Sequence, residues 1–218
     1  MQQLPWKEDY FSTCSGEFDL LYRAYKPPTG RAIGTLVIVH GFGEHSERYA
    51  YVAHALIKAG FNVLLFDLPG HGHSAGIRGH IDAFEQYVSA TKSAVDKACQ
   101  LFHSKAVMLL GHSMGGLICM HYAVSSSSNL LGLILTSPLC GLSQHVPVWK
   151  QITVDALSCM WPTSSFPIVL PSKNLTHDYN LMQAHKTDPL RVDGASFCCL
   201  SQLKRAMQAC KNLVKNMA

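Results

Sequence analysis

Ala106-Val107-Met108-Leu109-Leu110-Gly111-His112-Ser113-Met114-Gly115-Gly116-Leu117-Ile118-Cys119-Met120 is the stretch that decides the fold. Ala106 to Leu110 is an apolar run of strand length, and Met114 to Val124 follows as a helix. Between them stands a G-x-S-x-G, Gly111 to Gly115. A serine hydroxyl lifted above a sheet edge needs a strained strand-to-helix turn, and side chains at the flanking positions would clash there, which accounts for Gly111 and Gly115. The helix N-terminus beneath then favours negative charge developing at the serine. Ser113 is therefore the candidate nucleophile. A glycine-rich packing turn would explain the glycines but not a serine held between strand and helix.

Working outward, Thr35 to Val39 is a continuous β-branched run of the kind buried on both faces of a parallel sheet. Tyr49 to Lys58 spaces as a helix, with Tyr49, Val52, Ala53, Leu56 and Ile57 on one face and Gly60 as its stop. Phe61 to Asp67 is a second buried strand. Asp82-Ala83-Phe84-Glu85 reads as a capping-box variant opening a helix to about Phe102. Leu131 to Thr136 is another strand, and Asp9 to Lys26 is strand material ending at Pro27-Pro28-Thr29-Gly30. Strand and helix alternating at short spacing predict an α/β fold with a doubly wound, mostly parallel sheet and helices on both faces.

The alternation stops after Ser137. Five of the ten prolines fall between Pro138 and Pro171, among Trp149, Met160, Trp161 and Phe166, in apolar sequence without a period. That suits a cap over a site or poorly ordered chain. Helical spacing returns with Phe197, Leu200, Leu203, Met207, Cys210, Val214 and Met217. The expected organisation is a core over 1–137, a cap over 138–193 and an amphipathic helix over 194–218 that returns to the core.

His40-Gly41-Phe42-Gly43 follows the first buried strand. Acyl transfer needs two preorganised N–H donors for the tetrahedral oxyanion. Met114, next to the nucleophile, and Phe42, in the loop after the third strand, are the expected pair.

His40-Gly41-Phe42-Gly43-Glu44-His45-Ser46-Glu47-Arg48-Tyr49 resembles the oxyanion segment of monoacylglycerol lipases. Asp67-Leu68-Pro69-Gly70-His71-Gly72-His73-Ser74-Ala75-Gly76 resembles their next loop, Gly111 to Gly116 their nucleophile elbow, and Thr187-Asp188-Pro189-Leu190 a segment near the end of their cap. The resemblance runs from about Asp9 to the last helix and also takes in lysophospholipases and related plant esterases. It implies an α/β-hydrolase fold with a cap insertion and hydrolysis of a single-chain acyl ester by a serine. It implies no metal or organic cofactor, and a small lipid ester as substrate. In that family the catalytic acid follows a strand after the cap, and the base lies later still. No position here matches either motif, so the chain is expected to stop before both and to lack the C-terminal strands. The alternative expectation is a catalytically impaired form that binds a lipid or a protein. Substitutes for acid and base could come only from His177, Asp178, His185 or Asp188 in or near the cap, or from His112. His112 is expected to point away from Ser113. His71 and His73 without a third ligand are weak evidence for a metal.

Composition narrows the classes further. Hydrophobic residues make up 48% of the 218 residues and charged residues 15%, and no run approaches the roughly 18 apolar residues of a spanning helix. The N-terminus lacks the pattern of a signal peptide, so a cytoplasmic protein is expected and the sequon Asn174-Leu175-Thr176 is read as chance. The eight cysteines show no Cys-x-x-Cys spacing and read as reduced core residues. The net charge of +4 resides in the last segment, in Lys204, Arg205, Lys211 and Lys215. No basic stripe with interleaved aromatics supports nucleic-acid binding. A basic, amphipathic last helix leaves a peripheral membrane contact open beside plain packing on the sheet. The oligomeric state has no sequence signal.

Overall fold

Side-chain alternation in two neighbouring strands sets the layers. β3 (Gly34–Val39) and β4 (Phe61–Phe66) run parallel, with Val37 opposite Leu64 and Ile38 opposite Leu65. Val37, Val39, Leu64 and Phe66 face one way, into a core shared with α2 (Glu85–Phe102), α3 (Met114–Ser125) and α6 (Phe197–Asn216). Ile38, Val63 and Leu65 face the other way, against Ala53 and Ile57 of α1 (Ala50–Lys58). Both faces of these strands are thus covered, which is why the two segments read as unbroken apolar runs. Each fully buried aliphatic side chain contributes about 1.5–3 kcal/mol.

The computed structural model describes residues 7–28, 30–126, 129–141, 146–168 and 178–216, with side chains to 210. Its six-stranded sheet has the order β1-β2-β4-β3-β5-β6. β4, β3, β5 (Val107–His112) and β6 (Leu130–Thr136) are parallel, whereas β1 (Lys7–Ser12) and β2 (Asp19–Tyr25) are antiparallel. The expected mostly parallel sheet with helices on both faces is the one observed.

Several local expectations change. The strand material of Asp9 to Lys26 is two strands, paired with Phe11 opposite Leu20. Asp82 does not cap α2; instead Gln86 reaches back, its Oε1 accepting from the N–H groups of Asp82 at 2.9 Å and Ala83 at 3.4 Å. The aperiodic segment holds a helix, α4 (Val148–Met160), none of whose residues is buried. Beyond it, β7 (Ser165–Pro167) pairs antiparallel with β8 (Gly194–Ser196), and α5 (Tyr179–Lys186) is capped by the Asp178 carboxylate. α6 buries Cys199, Leu203, Ala206 and Cys210, close to the expected stripe. Its expected members Val214 and Met217 lie outside the described side chains.

Candidate active site

Ser113 is the one residue between β5 and α3, and its backbone is held at φ 52° and ψ −116°. A positive φ at a residue with a Cβ is strained, and the surroundings hold it there. The Ser113 N–H donates to the Thr136 carbonyl on β6 at 3.1 Å, and its carbonyl accepts from Leu117 at 3.2 Å and Leu139 at 2.9 Å. The flanking glycines are required by contact. A Cβ on Gly111 would lie 2.6 Å from the Gly115 carbonyl oxygen, and one on Gly115 would lie 2.1 Å from that of Val39. α3 therefore presses directly on the end of β3.

The loop after β3 comes close to this turn. A Cβ at Gly41 would sit 3.4 Å from Ser113 Cβ and 3.5 Å from His112 Cδ2. The Gly41 N–H is committed to Glu44 Oε2 at 3.0 Å, and the Glu44 N–H returns to the Gly41 carbonyl at 3.3 Å. Inside this small turn the Phe42 N–H has no acceptor among the described residues, and neither does the Met114 N–H at the start of α3. Of the five positions expected from sequence, Gly111 lies near the end of β5, Ser113 forms the turn, Met114 and Gly115 open α3, and Phe42 lies in the loop after β3 that comes close to this turn.

Glu44 stays ionised beside them. Burial pushes its pKa up, but the Tyr49 hydroxyl at 2.7 Å, the neighbouring His40 and the Gly41 N–H outweigh burial and hold it below the usual range.

Beneath the loop lies a second buried group, of which the sequence reading singled out only His71, as a weak metal candidate. His40 Nε2 accepts from the Leu68 N–H at 3.0 Å, so Nδ1 carries the proton and donates to the Gly41 carbonyl at 2.8 Å. Asp67, with no exposed surface, accepts from the N–H groups of Ser46 at 2.7 Å and His73 at 2.9 Å. Burial opposes its charge; His40 and these donors overcome that and keep its pKa low. Gly72 is needed here, since a Cβ would lie 2.1 Å from Asp67 Oδ2. His71 donates from Nδ1 to the Pro69 carbonyl at 3.0 Å, packs edge-on against Phe42 at 5.3 Å, and leaves Nε2 buried without a partner. Burial, then the neighbouring His40, push its pKa down to about 3. The available signal was an acidic residue, Asp67, directly after a buried strand, and a glycine-flanked His71 in the loop that follows, where buried polar groups must be satisfied locally.

The candidate substitutes for acid and base are engaged elsewhere. His185 Nδ1 accepts from Arg48 Nη1 at 2.7 Å, Asp188 accepts from His45 Nε2 at 2.8 Å, and Asp178 caps α5. His177 lies outside the described residues, as does Asn174. His112 keeps its ring edge near Gly41 while Nδ1 contacts the Thr136 carbonyl at 3.1 Å and Oγ1 at 3.0 Å. No described residue hydrogen-bonds the Ser113 hydroxyl. His71 and His73 do not converge: one is buried, and the other is half exposed near Glu47. No group of three metal-ligating side chains gathers among the described residues, and no described helix is long and apolar enough to cross a membrane.

The segment 185–192 closes over these loops. Besides the His45 and Arg48 contacts, Arg78 donates to the Leu190 carbonyl at 2.6 Å and the Val192 N–H to the Gly43 carbonyl at 3.2 Å. Earlier in the chain, exposed apolar surface accumulates on α4 and directly after it: Val148, Trp149, Ile152, Met160 and Trp161 are all more than half exposed.

Known proteins resemble this chain in sequence and in fold. The family described as serine aminopeptidase, S33, matches residues 30–218. Phospholipase YtpA of Bacillus subtilis is 29% identical over 180 residues, covering 82% of this chain and 69% of that protein. Monoglyceride lipase of Homo sapiens is 29% identical over 191 residues, covering 87% of this chain and 62% of that protein. The crystal structure of the Paleococcus ferrophilus monoacylglycerol lipase superposes with a TM-score of 0.78 at 29% identity, over 88% of this chain and 72% of that one. The chain thus spans 62 to 69% of the length of these two curated relatives.

Proposed function

Because the chain belongs to the serine aminopeptidase S33 family and carries its α/β-hydrolase fold, we propose that it carries the nucleophile of a serine ester hydrolase acting on monoacylglycerol, lysophospholipid or a similar single-chain ester. Ser113 attacks the acyl carbonyl, and the N–H groups of Phe42 and Met114 receive the oxyanion. Gly111 and Gly115 allow the turn that presents the hydroxyl. The apolar side chains of α4 and its neighbours receive the acyl chain. The observation that carries this reading is the strained Ser113 backbone beside two N–H groups that have no acceptor among the described residues. Donors fixed before reaction stabilise a developing anion without reorganisation; losing one typically lowers kcat by about 10²–10³.

Ser113→Ala should abolish turnover of a monoacylglycerol by the complete protein, and persistent turnover would overturn the assignment. For the 218-residue chain itself, a fluorophosphonate probe separates two states of the serine. Labelling lost in Ser113→Ala means an activated nucleophile. An unlabelled but folded sample supports a second reading, a lipid-binding chain without turnover. That reading is favoured by one observation: among the described residues His112, His185 and His45 are each committed to other partners and none hydrogen-bonds the Ser113 hydroxyl, and a serine not paired with a base is a poor nucleophile at neutral pH.

A further inference from the structure

The segment 185–192 meets the loop of Phe42 through a chain of polar contacts that the proposed chemistry does not use. His185, in the last turn of α5, is 6% exposed. Its Nδ1 accepts from Arg48 Nη1 at 2.7 Å. Arg48 stands in the single turn Ser46–Tyr49, soon after Phe42. Its Nε lies 3.8 Å from Glu44 Oε1, and its Nη1 lies 3.7 Å from Asp188 Oδ2. The other oxygen of Glu44, Oε2, accepts from the Gly41 N–H at 3.0 Å and from the Tyr49 hydroxyl at 2.7 Å. Three side chains thus lead from α5 to the residue beside Phe42.

We propose that His185 is a positioning residue of the Phe42 loop: its neutral imidazole seats the Arg48 guanidinium on Glu44, and Glu44 in turn fixes Gly41. The proposal rests on the reading of the Phe42 N–H as an oxyanion donor, whose value lies in being fixed before reaction.

The protonation state follows from the contact itself. A guanidinium donates and cannot accept, so His185 offers a lone pair at Nδ1 and carries its proton on Nε2. That Nε2 is buried without a partner among the described residues. A second proton would turn the hydrogen bond into two cations face to face, and Arg48 would have to leave. The charged neighbours divide over this. Arg48 opposes the added charge, as does Arg191, whose Nη1 donates to the His185 carbonyl at 3.4 Å. Glu44 and Asp188 favour it, although Asp188 also accepts from His45 Nε2 at 2.8 Å. Burial, with the two arginines, prevails and holds the His185 pKa below the ordinary histidine value of 6.5. The tie is therefore closed at neutral pH and opens as pH falls below 6.5. Glu44 and Asp188 are both held below the usual carboxylate range, so histidine is the first of these groups to change.

Hydrogen–deuterium exchange of the full chain tests this, read as protection factors for the amides of residues 41–48 between about pH 8 and about pH 4. Amides of β3 and β4 report global unfolding in the same samples. The unmodified loop should lose protection roughly tenfold toward acid, the order expected for losing one hydrogen bond to a charged group. His185→Asn puts an oxygen where Nδ1 stands and cannot take up a proton. Its loop should match the unmodified chain at neutral pH and stay protected in acid. His185→Phe keeps a ring and removes the acceptor, so its loop should be loose at every pH. Superimposable profiles for the unmodified chain and His185→Asn would overturn the proposal, since the acid response would then belong to another group. A fully protected loop in His185→Phe would overturn it as well. Should His185→Phe fail to fold, the comparison with His185→Asn still decides. None of these outcomes depends on Ser113 being a nucleophile.

Discussion

β3 and β6 flank the strand that carries Ser113, are both parallel to it, and are almost equally apolar, yet only one is buried. Leu36 to Val39 expose at most 2% of their surface, whereas Leu131 and Ile134 on β6 expose 66% and 42%. β3 lies between β4 and β5 with helices on both faces; β6 is the last strand of the described sheet. An apolar run therefore reports the environment a strand is suited to, not the one it occupies. The loops follow the same division. Those after β3 and β4 are tied down through His40, Glu44 and Asp67, while the chain beyond β6 leads to α4, none of whose residues is buried.

The largest expected effect is on the closed side. Gly115→Ala would drive a methyl group into the Val39 and His40 carbonyls, with no flexible side chain to yield. A loss at or above about 4 kcal/mol is expected, seen as failure to fold or a collapsed urea midpoint. An unchanged midpoint would mean α3 can back away from β3, and the contrast would weaken. Leu64→Ala, at a position with no exposed surface, should cost about 2–5 kcal/mol by the same measurement.

A third test uses pH. His71 holds a folded pKa of about 3 against 6.5 for an ordinary histidine. Between those values the unfolded chain binds a proton that the folded chain does not. Stability is therefore complete above pH 6.5 and falls as pH drops toward 3. The slope from this group approaches about 1.4 kcal/mol per pH unit. His71→Gln should flatten the acid limb of a urea-midpoint profile by about one proton's worth. An identical profile would mean that His71 is not kept neutral by the fold.

How much of this was legible follows the same line. β3, β4 and β5 and their helices could be read because covered strands have continuous apolar runs and covered helices have a stripe. α4 could not, because Val148, Trp149 and Ile152 face no core and so impose no period. The Gln86 cap of α2 was mistaken for an Asp82 box because both residues fit the turn and only the reach of the longer side chain decides. Ser113 and the two glycine loops were legible because the turn permits few residue types. Asp67 and His40 were visible only within quoted motifs, and His71 only as a weak metal candidate: the roles of the first two lie in N–H groups from Ser46, Leu68 and His73, which no residue type advertises.

The smallest effect is the one that discriminates best. Leu131 and Leu64 are the same residue type, in parallel strands of one sheet, so an identical change isolates the environment. Leu131→Ala removes a side chain that is already two-thirds in water. Little transfer energy is lost and no cavity forms, so a change within about 0.5 kcal/mol is expected. Leu131→Lys should be tolerated equally well and should reduce self-association, since a charge on an edge strand disfavours edge-to-edge pairing. Suppose instead that Leu131→Ala lowered the urea midpoint nearly as much as Leu64→Ala. Something in solution would then have to cover β6, and size-exclusion chromatography of both variants would show whether a second copy of the chain does so. A small effect, with the protein at monomer size, leaves the two flanks as different as they stand in the fold.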